Sequence, residues 1–380
     1  MSLRTILFTL LVAFLLTACT TPQAAPTKEP AETAPSESPP PTLEPTPTAE
    51  PTAIPPTDTP PPPEPTATPT AEPQPTNLFT FLPDPVVGRE LSGQWDTKYI
   101  NPGAVLFHEG QFHMFRNGFR TWPGLISIGY ATSDDGRSWH SAQSEPVFTS
   151  REIPYAEQGA DVSGVYVTDD GTWVLYFHTL GSSSVIGRAT APEPTGPWTA
   201  DPEPVLQPGS AGAWDSQGII WPSVVKTEEG LVMYFAGTYA FTTQIGRATS
   251  EDGLTWTKYD NPETTEPPFH ESDPVLLPGD EWDGGDVNRP EARLTPEGWV
   301  MLFVGNDLNQ RGLAFSDDGI TWTAHPNNPV ITGDQFPLPN STTWDTALLY
   351  NGDTYFYYME IGSLASTDIF VALHEGALRP

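Results

Sequence analysis

SDDGRSW (133–139), SEDGLTW (250–256) and SDDGITW (316–322) are one turn written three times, and APEPTGPW (191–198) is a degenerate fourth copy. A second phrase, Pro-Val plus an apolar residue, occurs five times: PDPVV (83–87), SEPVF (144–148), PEPVL (202–206), SDPVL (272–276) and NNPVI (327–331). Self-similarity at a period of roughly 60 residues, with several short strands per unit, is how a β-propeller is written in sequence. Counting the copies counts the blades. The count is five.

One unit shows how a blade reads. GIIWPSVVKTEEGLVMYFAGTY (218–239) is an apolar run, a turn at Gly230 and a second apolar run. QIGRATSEDGLTW (244–256) adds a third strand and a turn, and a fourth strand ends at Pro274-Val275-Leu276. The strands are short, β-branched and aromatic, and Gly, Asp or Pro bounds each of them. First hairpins turn at Gly110, Gly171, Gly230, Gly298 and Gly352. No stretch sustains a 3.6-residue apolar period, so helices are expected to be few. The fold class is therefore all-β, a five-bladed propeller with four-stranded antiparallel blades. The fifth unit has no Pro-Val phrase after its third strand (366–376), whereas Asp84-Pro85-Val86-Val87 precedes any first strand. The N-terminal strand is expected to complete the last blade and remove an exposed sheet edge.

Three segments are expected. Residues 1–18 carry Arg4 and an apolar core from Ile6 to Leu16, a secretory signal too short to span a membrane comfortably. Leu16-Thr17-Ala18-Cys19 resembles the lipobox of bacterial lipoproteins, which implies lipidation of Cys19, the single cysteine of the chain. Residues 19–77 form a linker; from Thr20 to Asn77 it holds 20 prolines and 14 threonines and cannot bury enough surface to fold. Fully stretched at about 3 Å per residue, it reaches on the order of 150–200 Å. Residues 78–380 are the propeller domain. The expected location is extracytoplasmic, with the protein anchored to the cell membrane through its lipid alone.

The formal charge is −32, and residues 78–380 contribute 40 acids against 14 Lys and Arg. Such a surface repels nucleic-acid phosphates and anionic lipid, which disfavours both as partners. A monomer is expected.

Propeller ligands bind at the channel mouth, where the first strand of each blade begins. Reading back from the hairpin glycines places Tyr99, Asn101, Pro102, Asp161, Trp221, Pro222, Asp286, Asn288, Arg289, Glu291, Trp344 and Asp345 there. Acids, amides, one arginine and two tryptophans on one axis suit a neutral sugar: aromatic faces cover C–H patches while carboxylates and amides take hydroxyls. Trp139, Trp198, Trp256 and Trp322, with Trp95, Trp214 and Trp282, recur in register and are assigned to the core. Asp96, Asp215 and Asp283, which follow the last three, are assigned as turn caps. Trp221 and Trp344 stand at the strand start in only two blades and are candidates for ligand stacking, with packing as the equal alternative. The carboxylates that break the repeat, Asp161, Asp286, Glu291 and Asp345, are the catalytic candidates, because glycoside hydrolysis needs a pair of them. Asn101, Arg116, Asn288 and Arg289 are the candidates for orienting hydroxyls. No His/Asp/Glu spacing resembles a metal site and no cofactor is expected, with a structural calcium at the channel centre left open.

With five blades, the IGRATS third strand and YINPGAVLFHEGQFHMFRNG (99–118), the domain resembles the five-bladed glycosidase propellers, glycoside hydrolase families 43, 32 and 130. The resemblance implies a surface glycoside hydrolase; the alternative is a non-catalytic carbohydrate-binding propeller, or a scaffold with no sugar ligand. In family 43 the base is an aspartate preceding a proline in blade one, and the matching pair here is Asn101-Pro102. That family's blade-three aspartate falls near Ile220 or Trp221, and its acid, a glutamate two before a proline, falls on Asn288. Family 130 carries a Glu-Asp-Pro-Arg motif in blade two. Here Gly159-Ala160-Asp161-Val162-Ser163 keeps only the aspartate, which argues against phosphorolysis.

Overall fold

A computed structural model of the chain describes residues 77–88, 95–121, 124–181 and 183–379. The signal segment 1–18, Cys19 and the proline- and threonine-rich stretch as far as Thr76 lie outside the described residues. The described chain opens with β1 (Thr80–Phe81). Blade one is β2 (Tyr99–His108), β3 (Gln111–Phe119), β4 (Ser127–Ser133) and β5 (His140–Ser141), with β6 (Phe148–Thr149) beside β4. Blade two is β7 (Ala160–Val167), β8 (Trp173–Thr179), β9 (Ile186–Ala191) and β10 (Thr199–Ala200). Blade three is β11 (Gly218–Thr227), β12 (Gly230–Tyr239), β13 (Thr242–Ser250) and β14 (Thr257–Lys258), with β15 (Pro274–Leu276) beside β13. Blade four is β16 (Asn288–Thr295), β17 (Gly298–Val304), β18 (Arg311–Ser316) and β19 (Thr323–Ala324). Blade five is β20 (Thr342–Tyr350), β21 (Thr354–Ser363) and β22 (Ser366–Glu375), with β1 on its outer edge. The inner strands touch in the cyclic order β2, β7, β11, β16, β20 and back to β2, a closed five-bladed ring. Among the described residues no helix is long and apolar enough to cross a membrane.

The five Pro-Val phrases occupy one structural position, outside the start of each third strand. Val147 N donates to Ile128 O at 2.8 Å, Val205 N to Ile186 O at 2.9 Å and Val330 N to Arg311 O at 2.8 Å. Leu276 pairs with Ile245 in blade three. In blade five Val86 N donates to Ile369 O at 2.8 Å, while Thr80 and Phe81 lie opposite Leu373 and Ala372. Asp84 and Pro85 belong to no strand.

The serine-acid-glycine-tryptophan turns latch one blade to the next. In each, the serine Oγ accepts the glycine N–H, at 2.9, 2.8 and 2.8 Å for Gly136, Gly253 and Gly319. The acid accepts two further amides, which pull Asp252 and Asp318 down to about 2. The glycine carbonyl then receives a tyrosine hydroxyl from the neighbouring blade: Tyr358 to Gly136, Tyr176 to Gly253 and Tyr234 to Gly319, at 2.8, 2.7 and 2.7 Å. The turn's tryptophan meets the same tyrosine edge-on, as Trp139, Trp256 and Trp322 show. The degenerate fourth copy explains itself by the same contact. Its Trp198 meets Phe115, which lies opposite Ala104 as Tyr176 lies opposite Gly164. Phe115 offers that turn no hydroxyl. Tyr176→Phe should therefore cost about 1 kcal/mol, by removing the shorter of two hydrogen bonds to the Gly253 carbonyl and leaving it only the Trp256 indole N–H at 3.3 Å. Urea unfolding of the variant checks this, and an unchanged midpoint would remove the hydroxyl from the account.

Trp95, Trp214 and Trp282 lie on paired glycines of the second and third strands. A Cβ on Gly237 or Gly246 would meet the Trp214 ring at 2.3 or 2.6 Å, and Gly118 and Gly129 stand in the same relation to Trp95. The aspartates that follow these tryptophans do different work from one another. Asp283 caps the amides of Gly279, Asp280 and Gly285, as a turn cap should. Asp215 accepts the Gly209 amide and is ion-paired with Lys258. Asp96 instead forms a buried ion pair with Arg116 at 2.8 Å.

Candidate functional site

Each inner strand carries one extra residue near its start. The register jumps between Asn101 and Ala104, Val162 and Gly164, Ile220 and Ser223, Asn288 and Glu291, and Thr343 and Thr346. These are β-bulges, which bend a strand locally and re-aim its side chains. In blades one, three and four the bulge contains a left-handed residue: Gly103 (φ +56°), Trp221 (φ +53°) and Arg289 (φ +48°). Glycine adopts that region freely; tryptophan and arginine do so at roughly 1–2 kcal/mol each. Trp221 and Arg289 also precede prolines, so two strained residues stand at matching places in adjacent blades.

The bulges bring Asn101, Gly103, Asp161, Ser163, Trp221, Arg289, Glu291, Asp345 and Thr346 around one depression at the channel mouth. Asn101 is its centre. Its Nδ2 donates to Asp345 Oδ2 at 3.2 Å and to Asp161 Oδ2 at 3.4 Å, so those two oxygens lie within about 7 Å of each other. Asn117, from β3, fixes Asn101 by donating to its Oδ1 at 2.7 Å, and also bonds Asp161 and the backbone of Val162. Arg289 Nε donates to Asp345 Oδ1 at 2.9 Å and its Nη1 to Asn288 Oδ1 at 3.0 Å. The Arg289 guanidinium lies 4.0 Å over the Trp221 ring. His178 touches that ring edge-on and accepts the Trp221 amide at 3.4 Å.

The carboxyl groups are not alike. Burial raises Asp161 well above the ordinary carboxylate range, and the nearby Asp345 and Glu360 raise it further. Glu360, on β21, is pushed up to about 8 by burial and Asp345, and accepts the Asp345 amide at 3.4 Å. Burial pushes Glu291 up to about 7, although Arg293 stands 3.6 Å away and the Leu348 amide donates to it at 3.0 Å. Asp345 alone of these four is ion-paired to the mouth's arginine. The mouth thus sets a proton-holding carboxyl beside a carboxylate paired with a cation. Burial lowers His178 to about 4, so it is neutral here.

Two predicted residues are placed elsewhere. Arg116 is buried, paired with Asp96 and laid over Trp95 inside blade one, and it does not line the depression. Asp286 bonds the backbone and hydroxyl of Thr243 and does not line the depression. Trp344 is half-buried outside the residues that line the depression, and Trp221 has a face covered by Arg289. Asn288 takes part only through Arg289. Glu360 and Asn117 were not foreseen, because both sit on second strands, one register step behind the mouth. A lone acid in the apolar run TYFYYMEIG (354–362) was the available signal for Glu360. Among the described residues no cluster of His, Cys, Asp and Glu has the arrangement to hold a metal.

No protein-family model and no curated protein sequence matches the chain. Solved structures do match it in fold. A putative glycoside hydrolase from Parabacteroides distasonis superposes with a TM-score of 0.57 at 19% identity, over 83% of this chain and 96% of that one. A structure from work on the GH130 family of mannoside phosphorylases, which describes hydrolases of β-1,2 mannosidic linkages in Candida mannan, gives 0.55 at 20% identity, over 75% and 88%. A thermostable family-43 glycoside hydrolase gives 0.54 at 14% identity, over 76% and 96%. The chain has the five-bladed propeller fold found in glycoside hydrolases of these kinds.

Proposed function

We propose that the protein is a carbohydrate-active propeller that hydrolyses a glycosidic bond at the channel mouth. Asp161 is the general acid and donates its proton to the leaving oxygen. Asp345, held by Arg289 and Asn101, is the partner carboxylate that activates water or attacks the sugar. The observation that carries this reading is the pair of unlike carboxyls on one asparagine amide, at a separation compatible with the roughly 5–10 Å that paired glycosidase carboxyls span. Glu291 lies deeper, against Arg293 and Leu348, and supports the wall of the site. Release of reducing ends from a panel of plant and bacterial glycans by the full-length protein tests the reading; a panel without turnover counts against it.

A second reading, carbohydrate capture without catalysis, draws on one observation: the positions matching the family-43 acids hold Asn101, Trp221 or Ile220, and Asn288. Binding without release of reducing ends would favour it.

The lipobox-like Leu16-Thr17-Ala18-Cys19 and the proline- and threonine-rich composition that follows support an extracytoplasmic lipoprotein, held at the membrane by Cys19. Cys19→Ser should move the protein from the detergent to the aqueous phase on partitioning. A variant that stays with the detergent as the wild type does would overturn the anchor.

A further inference from the structure

Arg289 is built into the mouth more firmly than the hydrolysis proposed above requires. Its backbone is left-handed, it precedes Pro290, and it stands at the bulge of β16 as Trp221-Pro222 stands at that of β11. The side chain is only 13% exposed. Three contacts fix the guanidinium plane: the Trp221 ring under its face, Asp345 on Nε and Asn288 on Nη1. Nε and one hydrogen of Nη1 are therefore engaged, and Nη2 carries no hydrogen bond to any described residue. What remains is the second hydrogen of Nη1 and the N–H groups of Nη2, donors in the guanidinium plane for a planar carboxylate to accept. A lysine in this place would offer a point charge with no such plane. The indole holds the plane still, so little rotamer freedom is left to lose on binding.

Charge around the mouth agrees with this. Arg289 is the only Lys or Arg among the residues lining the depression. Facing it are Asp345, already paired, and Asp161, whose carboxyl burial raises well above the ordinary range; behind them are Glu360, pushed up to about 8, and Glu291, up to about 7 with Arg293 beside it. His178 is neutral, and the buried Arg311 spends its hydrogen bonds on Tyr357, Thr343 and backbone carbonyls. The mouth therefore offers one arginine to a ligand, with Asp286 bonded to Asn288 behind it, in a domain of strongly acidic composition. A monoanion fits a single fork. Above neutral pH a phosphate dianion would bring a second negative charge that nothing here offsets, and it would add it beside Asp345. At pH 6 phosphate is mostly a monoanion and serves as the control for non-specific anion binding.

We propose that Arg289 anchors the carboxylate of a sugar acid, so that the glycan taken at this mouth carries a uronic acid unit. This rests on the glycan reading and narrows it, departing from the uncharged sugar suggested by a free Trp221 face, because Arg289 covers that face.

Calorimetric titration of the full-length protein at pH 6 tests it, with oligogalacturonate and oligoglucuronate, their methyl esters, uncharged oligosaccharides and inorganic phosphate as probes. The acid should bind at least tenfold more tightly than its ester, a comparison that needs no variant. Arg289→Lys, with its melting temperature measured alongside, should lose that difference. Equal binding of acid and ester overturns the anchor, as does an Arg289→Lys protein that keeps the preference, or phosphate that competes as well as the acid does. Tight binding of uncharged oligosaccharides with no preference for the acid overturns the anchor and leaves the glycan reading standing. Absence of binding by every glycan takes both down.

Discussion

Replacing Asp161 by asparagine is expected to lower kcat/KM on the cognate glycan by two or more orders of magnitude, the usual loss on removing a positioned general acid. The fold should suffer little with it. Asparagine is isosteric with the carboxyl, but Asn101 and Asn117 bond different oxygens of Asp161, so it keeps an acceptor for one of them and loses the other, at a cost of about 1 kcal/mol. Loss of activity with little loss of stability separates a chemical role from a structural one. The pH dependence follows from the same burial. Asp161, Glu291 and Glu360 all have folded values above their unfolded ones, so their stabilising contribution is complete below the ordinary carboxylate range and is lost as pH rises. With Glu291 near 7 and Glu360 near 8, melting temperature and activity should both fall between about pH 6 and pH 9. Asp161→Asn should blunt that fall in stability, since one of the buried groups no longer ionises. Parallel melting curves at pH 6 and pH 9 for the two proteins check the sign.

Deleting residues 78–88 should cost several kcal/mol. Phe79 is 3% exposed and lies against Tyr357 and His374, while Val86 and Val87 pack with Ile369 and Val371. Loss of one buried phenylalanine alone is worth about 3–5 kcal/mol, and the deletion would also bare the outer edge of β22. The melting temperature should drop by about 10 °C or more. Deleting 20–75 instead should leave it unchanged, because that composition has no core to lose. Equal melting temperatures for the two deletions would contradict the role given to the first.

The sequence is explicit about repeats and silent about bulges. Pro-Val phrases and glycine turns declare the blades because each copy meets the same partner, the start of a third strand or a neighbouring tyrosine. Even the departure at APEPTGPW is legible afterwards, since Phe115 stands where a tyrosine hydroxyl would be. The mouth was legible where a carboxylate broke the repeat: Asp161, Glu291 and Asp345 do converge, with Asn101 among them. Arg116 and Asp286 were misplaced because neither sits on an inner strand: Arg116 lies on β3 and pairs with Asp96, and Asp286 precedes β16 and bonds Thr243. The bulge itself, one extra residue that re-aims an inner strand's side chains, is announced by no residue type except glycine at Gly103. Glu360 and Asn117 escaped for a related reason. They reach the site across the sheet from second strands, a relation that only pairing reveals.

The measurement closest to the central claim is a carbon-13 NMR titration of the Asp161 carboxyl in the full-length protein, assigned through Asp161→Asn. The account requires its midpoint well above the ordinary carboxylate range, with a further displacement as Glu360 ionises near 8. An Asp161 that titrates in one step near 4, indifferent to Glu360→Gln, would leave the mouth without its acid and contradict the account.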